Sequence, residues 1–124
     1  MKQISISTLL FSMFLFTGCS FFQASNTGQG TTFQYGKMEG FLKSSLSKVH
    51  SATGRAIKDL ELLTASAKKD ALFSSYEARN AKDEKVTISI EKIGSDSVKV
   101  YIKVGLLGDQ MYSQAIFDAI KKHL

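Results

Sequence analysis

The clearest alternation of apolar and polar positions lies between residues 86 and 104. Val86, Ile88 and Ile90 alternate with Thr87, Ser89 and Glu91, and Val98, Val100, Ile102 and Val104 alternate with Lys99, Tyr101 and Lys103. A period of two sends alternate side chains to opposite faces of a strand. Gly94-Ser95-Asp96-Ser97 supplies a turn between the two runs, so the pattern predicts a β-hairpin with one buried face and one wet face. Gly105 and Gly108 end the second strand. Asp109 is placed to cap a final helix whose inner face carries Tyr112, Ile116, Ala119, Ile120 and Leu124. Lys121 and Lys122 fall in its last turn, where cations suit the helix dipole.

Upstream, the period changes. Leu46, Val49, Ala52 or Thr53, Ala56, Leu60 and Leu63 recur at spacings of three and four, which predicts a helix with one apolar stripe, capped by Ser44 or Ser45. Phe33 to Leu42 reads as one strand ahead of it. Leu63–Ala67 and Ala71–Arg79 read as two strands joined at Lys68-Lys69-Asp70. The predicted order is β-α-β-β-β-β-α. This is an α+β domain, with an antiparallel sheet of four or five strands and two helices packed on its apolar face.

The N-terminal stretch has a different character. Met1-Lys2-Gln3 is short and positive, Ile4 to Phe16 is apolar apart from serines and a threonine, and Thr17-Gly18 precedes the lone cysteine, Cys19. A charged start, a short apolar run and a small-residue end define an export signal, too short for the roughly 20 residues of a spanning helix. Thr17-Gly18-Cys19 resembles the lipobox of bacterial lipoproteins, with Phe16 standing where an aliphatic residue is usual. The resemblance implies cleavage before Cys19 and lipid on its sulfur. Several acyl chains, each contributing about 0.8 kcal/mol per buried methylene, would make the anchor effectively permanent. Ser20 stands where an aspartate retains many lipoproteins in the inner membrane, so the outer membrane is the expected address. Gln23 to Thr32 reads QASNTGQGTT, a polar tether with a reach of roughly 15–20 Å. The expected organisation is therefore a signal at 1–18, a lipidated N-terminus and tether at 19–32, and one α+β domain at 33–124.

Composition narrows the chemistry. The net charge is +5, and +4 once the signal with its single Lys2 is removed. A mild positive balance suits an anionic envelope, and no aromatic-basic platform for nucleic acid is evident. A lone cysteine allows no internal disulfide, so the fold must rest on its apolar core. His50 and His123 are far apart and Cys19 is taken by lipid, so neither a metal site nor any other cofactor is expected. His50 sits beside the helix stripe and reads as a boundary residue. No Gly-x-Ser-x-Gly elbow occurs, and no catalytic set is assembled. Gly105-Leu106-Leu107-Gly108 lacks the Gly-Lys-Ser/Thr of a Walker loop. Its spacing also fits the four-residue loop of KH modules, but Asp109 would repel a phosphate there. Its expected role is architectural: glycines for turn dihedrals, and Asp109 as a helix cap.

The segment Val104-Gly105-Leu106-Leu107-Gly108-Asp109, followed by Ser113 and Ile116, resembles a family of small bacterial lipoproteins known only as a domain of unknown function. Glu77-Ala78-Arg79 ahead of Val86-Thr87-Ile88 and Ala56-Ile57-Lys58-Asp59-Leu60 carry the same resemblance, which covers about Tyr35 to Leu124. Members often have a glycine in the loop before Val86, where this chain has Lys82-Asp83-Glu84. The resemblance implies fold and location but no mechanism. Two readings follow: a monomeric, non-enzymatic module that binds a protein partner in envelope assembly or host interaction, or an envelope protein that holds a small ligand or lipid between sheet and helices. A filled core with an exposed aromatic patch favours the first, and an internal apolar cavity favours the second.

Overall fold

A computed structural model of the chain describes residues 30–124. The signal, Cys19 and the tether up to residue 29 lie outside the described residues. Eight elements follow in order: β1 (Thr31–Gln34), β2 (Lys37–Leu42), α1 (Leu46–Asp59), β3 (Leu63–Lys69), β4 (Phe73–Arg79), β5 (Lys85–Gly94), β6 (Ser97–Val104) and α2 (Gln110–Lys122). The strands form one antiparallel sheet in the order β1-β2-β6-β5-β4-β3.

The sheet has six strands, more than the four or five expected, because residues 31–42 are two strands. Gln34 pairs with Lys37, and the two residues between them, Tyr35 and Gly36, have φ of 53° and 77°. Positive φ at both positions is the I′ geometry that suits a two-residue hairpin. Thr31 and Thr32, expected in the tether, are the start of β1, where Thr31 donates to the Gln114 side chain of α2.

The central hairpin runs from Lys85 to Val104, with Ser95-Asp96 as its loop. Val86, Ile88, Ile90, Val98, Val100, Ile102 and Val104 are all buried on one face, beneath both helices. In α1 the apolar stripe is Leu46, Val49, Ala52, Thr53, Ala56 and Ile57. Ser45 caps it, its hydroxyl accepting from the Lys48 amide at 3.3 Å. The helix stops at Asp59, short of the expected Leu63. Glu61 takes a left-handed φ of 55°, which turns Leu62 into the core and leaves Leu63 exposed on β3.

The inner face of α2 is Ser113, Ile116, Phe117 and Ile120, with Tyr112 and Ala119 at its margin. Phe117 was not among the expected inner residues, and Leu124, which was, is half exposed past the helix end. The phenyl ring of Phe117 packs directly over Gly40, which offers no side chain: a Cβ there would sit 2.6 Å from the ring. Any larger residue at 40 would push α2 off β2.

Ser113 is fully buried and its hydroxyl finds no partner. A buried hydroxyl without a hydrogen bond costs about 1–3 kcal/mol. Ser113→Ala should therefore raise the urea midpoint, by about 1 kcal/mol of stability, with an unchanged denaturant slope. A lower midpoint would show that the hydroxyl has a partner.

Candidate functional site

The register places the β1–β2 turn, the end of β6, the start of β5, the end of β4 and the start of β3 at one end of the sheet. Two loops meet there. Gly105 and Gly108 adopt φ of 72° and 87°, and Asp109 is the N-cap of α2, its carboxylate accepting from the Tyr112 amide at 2.9 Å. The two glycines differ in their surroundings. A Cβ on Gly105 would meet only the end of the Glu84 side chain, at 3.0 Å. One on Gly108 would overlap the carbonyl and Cα of Gly36, and one on Gly36 would lie 2.5 Å from the Leu107 carbonyl oxygen. The β1–β2 turn and the β6–α2 loop thus lie backbone against backbone.

This contact fixes the loops while their side chains face outward. Tyr35 is 98% exposed, Leu106 and Leu107 are each 88% exposed, and Met111 in the first turn of α2 is 84% exposed. Tyr35 also sits in left-handed backbone, a conformation that glycine and asparagine adopt more cheaply. Neither burial nor turn geometry accounts for a tyrosine there.

The face of the sheet opposite the helices, bare among the described residues, forms a second surface. Three rows cross it: Lys37, Lys103, Thr87 and Glu77; Glu39, Tyr101, Ser89 and Ser75; Phe41, Lys99, Glu91 and Phe73. Lys99 bonds Glu39 at 3.1 Å and lies 5.3 Å and 5.5 Å from the ring centres of Phe41 and Tyr101. The hydrogen bond to Glu39, then that to Tyr101, holds its ammonium above the ordinary lysine value. Lys37 and Lys103 are direct cross-strand partners, and Lys37 rests 4.8 Å from the Tyr101 ring centre. An open depression at this end is lined by Arg79, Glu84, Lys85, Lys103 and Leu106, among others.

His50, read from the sequence as a boundary residue, belongs to a polar cluster between α1 and β4. Its Nδ1 contacts the hydroxyl of fully buried Ser74, its Nε2 lies 3.1 Å from the Tyr76 hydroxyl, and that hydroxyl donates to the His50 carbonyl at 3.0 Å. With a neutral ring, all three contacts are hydrogen bonds when Nε2–H donates to Tyr76 and Nδ1 accepts from Ser74. The Ser–His pair resembles a nucleophile and its base, but Ser74 has no exposure to solvent, so no substrate reaches it. The cluster ties α1 to the sheet. Burial, and secondarily the Lys69 ammonium, hold the His50 pKa below its ordinary value. His123, the other histidine, bonds Asp59 at 2.6 Å. No cluster of three metal-ligating side chains occurs among the described residues.

A six-stranded antiparallel sheet with both helices on one face, a bare opposite face and a loop end studded with apolar side chains defines a small two-layer α+β domain. The chain belongs to the family described as protein of unknown function (DUF3568), whose model matches residues 3–123. No curated protein matches the chain.

The geometry separates the two glycines of the loop. Gly105→Ala should cost about 1–2 kcal/mol, the penalty of left-handed backbone with a flexible neighbour that yields. Gly108→Ala, which must force two backbones apart, should cost about 3 kcal/mol or more, and Asp109→Ala about 1 kcal/mol. Equal effects of the two glycine substitutions in chemical denaturation would contradict the backbone contact.

The His50 cluster predicts a pH dependence. Because the folded-state pKa lies below the unfolded value of about 6.5, the unfolded chain takes up the proton first as pH falls. The stabilisation is therefore full above about pH 6.5 and is lost as pH falls through the folded pKa. Stability should decline as pH falls below about 6.5, and His50→Gln should flatten that part of the curve. An identical slope in the variant would remove His50 from the explanation.

Proposed function

We propose that the protein is a lipid-anchored envelope lipoprotein that acts as a non-enzymatic protein-interaction module, docking its partner on the bare face of the sheet. The observation that carries this reading is the contrast between the two faces. Beneath the helices the core is filled: Val49, Ala52, Ile88, Val100, Ile102, Ile116, Phe117 and Ile120 have no exposure. The depressions at the sheet end and along α1 are open to solvent and lined largely by charged and polar side chains. A filled core supports this reading over the alternative, a ligand held between sheet and helices. On the other face Phe41, Tyr101 and Phe73 are aromatic side chains, the type that interfaces enrich, set among lysines and glutamates of the kind found at interface rims.

The anchor and the address come from the sequence. Thr17-Gly18-Cys19 after a short apolar run supports lipidation at Cys19, and Ser20 supports the outer membrane over the inner. No helix among the described residues is long and apolar enough to cross a membrane.

Acyl labelling in a bacterial host should mark the wild-type chain and disappear in Cys19→Ala; label that persists would end the lipoprotein reading. For the interaction face, a photo-crosslinking residue at Tyr101 in intact envelopes should trap one discrete protein. The trap should weaken at least tenfold in Phe41→Asp at unchanged melting temperature. Crosslinks that ignore Phe41→Asp would show that the bare face is not the docking surface.

A further inference from the structure

The end of the sheet where the two loops meet carries apolar side chains and basic ones in a definite arrangement. Tyr35, Leu106 and Leu107 in the two loops and Met111 in the first turn of α2 are all largely exposed, and only Leu106 among them borders the open depression at this end. Their backbones are fixed by the contact between Gly36 and Leu107-Gly108, so the exposure belongs to the folded state. An aromatic ring with a polar tip beside aliphatic side chains suits a bilayer interface, where tyrosine sits at the headgroups and leucine reaches the acyl chains.

Behind the tips, on the bare face, Lys37 and Lys103 oppose each other directly across β2 and β6. Like charges in direct register destabilise a sheet unless an anion lies near them. Lys37, Lys82 and Lys103 make no ion pair among the described residues. The carboxylates at this end make local contacts. Asp83 lies 3.7 Å from Arg79, Glu84 accepts from the Asn80 amide, and Asp109 caps α2. Lys85 pairs with Glu77 at 3.4 Å and stands next to Lys103 along the depression that Leu106 rims.

We propose that this end of the domain docks on an anionic phospholipid surface, with Tyr35, Leu106, Leu107 and Met111 entering the interface and Lys37 and Lys103 meeting the phosphates. The surface is a second membrane contact, separate from any lipid on Cys19. It sets the orientation of the domain: the sheet stands up from the bilayer on these tips, and Phe41 and Phe73 lie in the row of the bare face farthest from it. The proposal does not require lipidation, and its test leaves the anchor aside.

The chain contains no tryptophan, so a single introduced indole reports one position. Full-length protein made without lipid is mixed with vesicles of phosphatidylcholine, alone or with phosphatidylglycerol, containing brominated acyl chains. Leu107→Trp should shift to the blue and be quenched by the bromines in the anionic vesicles. Leu72→Trp, in the β3–β4 turn at the opposite end of the sheet, should stay open to acrylamide. Both sites are exposed, so both variants should keep the wild-type melting temperature. Lys103→Glu, which replaces the like-charge pair by an opposite one and so keeps the fold, should lower the quenched fraction at the Leu107→Trp reporter on the order of fivefold or more. Equal shielding at both reporters would overturn the proposal, because the segment before Gly30 would then be carrying the protein to the vesicle without orienting it. A Leu107→Trp reporter that stays open to acrylamide on every vesicle would overturn it too. Shielding only after envelope protein is added would mean that the tips serve a protein partner and not lipid.

Discussion

Both helices land on the same row of branched side chains, those that the β5–β6 hairpin turns inward. Val86, Ile88, Ile90, Val98, Val100 and Ile102 form the floor on which α1 and α2 lie, and every other strand joins the sheet through this pair or through a neighbour of it. Because side chains alternate strictly along a strand, a slip of one residue would carry the whole row to the wet face and bring Thr87, Ser89, Lys99 and Tyr101 beneath the helices. The register is therefore fixed by burial on one side only. The other side is left free to carry whatever chemistry the protein needs, and the Phe41, Lys99 and Tyr101 cluster occupies it without disturbing the core.

That division explains which elements were legible in the sequence. The central hairpin and the start of the last helix are written in alternation and in Gly-Asp chemistry, both local signals. The β1–β2 hairpin was not legible, because its turn is Tyr35-Gly36, and a tyrosine in left-handed backbone carries no turn signature. The end of α1 is not legible, because Leu60 and Leu63 keep the helical spacing. The backbone instead breaks at Glu61 and gives the core position to Leu62. Phe117 went unrecognised as an inner residue because the space it fills is created by Gly40, 77 positions earlier in the chain.

The sites show the same limit more strongly. Gly105, Gly108 and Asp109 could be singled out as a turn and a cap from sequence spacing. The tighter demand on Gly108 comes from Gly36, which no local pattern reveals. His50 could be placed beside the stripe of α1, but its partners Ser74 and Tyr76 arrive from a strand that is 24 to 26 positions away. Among the aromatic residues of the bare face, Tyr101 is legible as part of the outward set of an alternating strand. What was missing was the neighbouring strand that gathers Phe41, Lys99 and Tyr101 into one surface.

The position of β1 has a mechanical consequence. It is the shortest strand, it lies at the edge, and the preceding chain enters the domain through it. A pull on that chain loads the Thr31–Gln34 ladder with β2 before any other part of the fold. Peeling those few hydrogen bonds, together with the Thr31 bond to Gln114, would lengthen the chain by four residues and leave the five remaining strands and both helices packed. The domain is thus built with a short release at the point where force enters. It would yield there first, and it would recover by re-pairing a strand whose template, β2, never leaves the sheet.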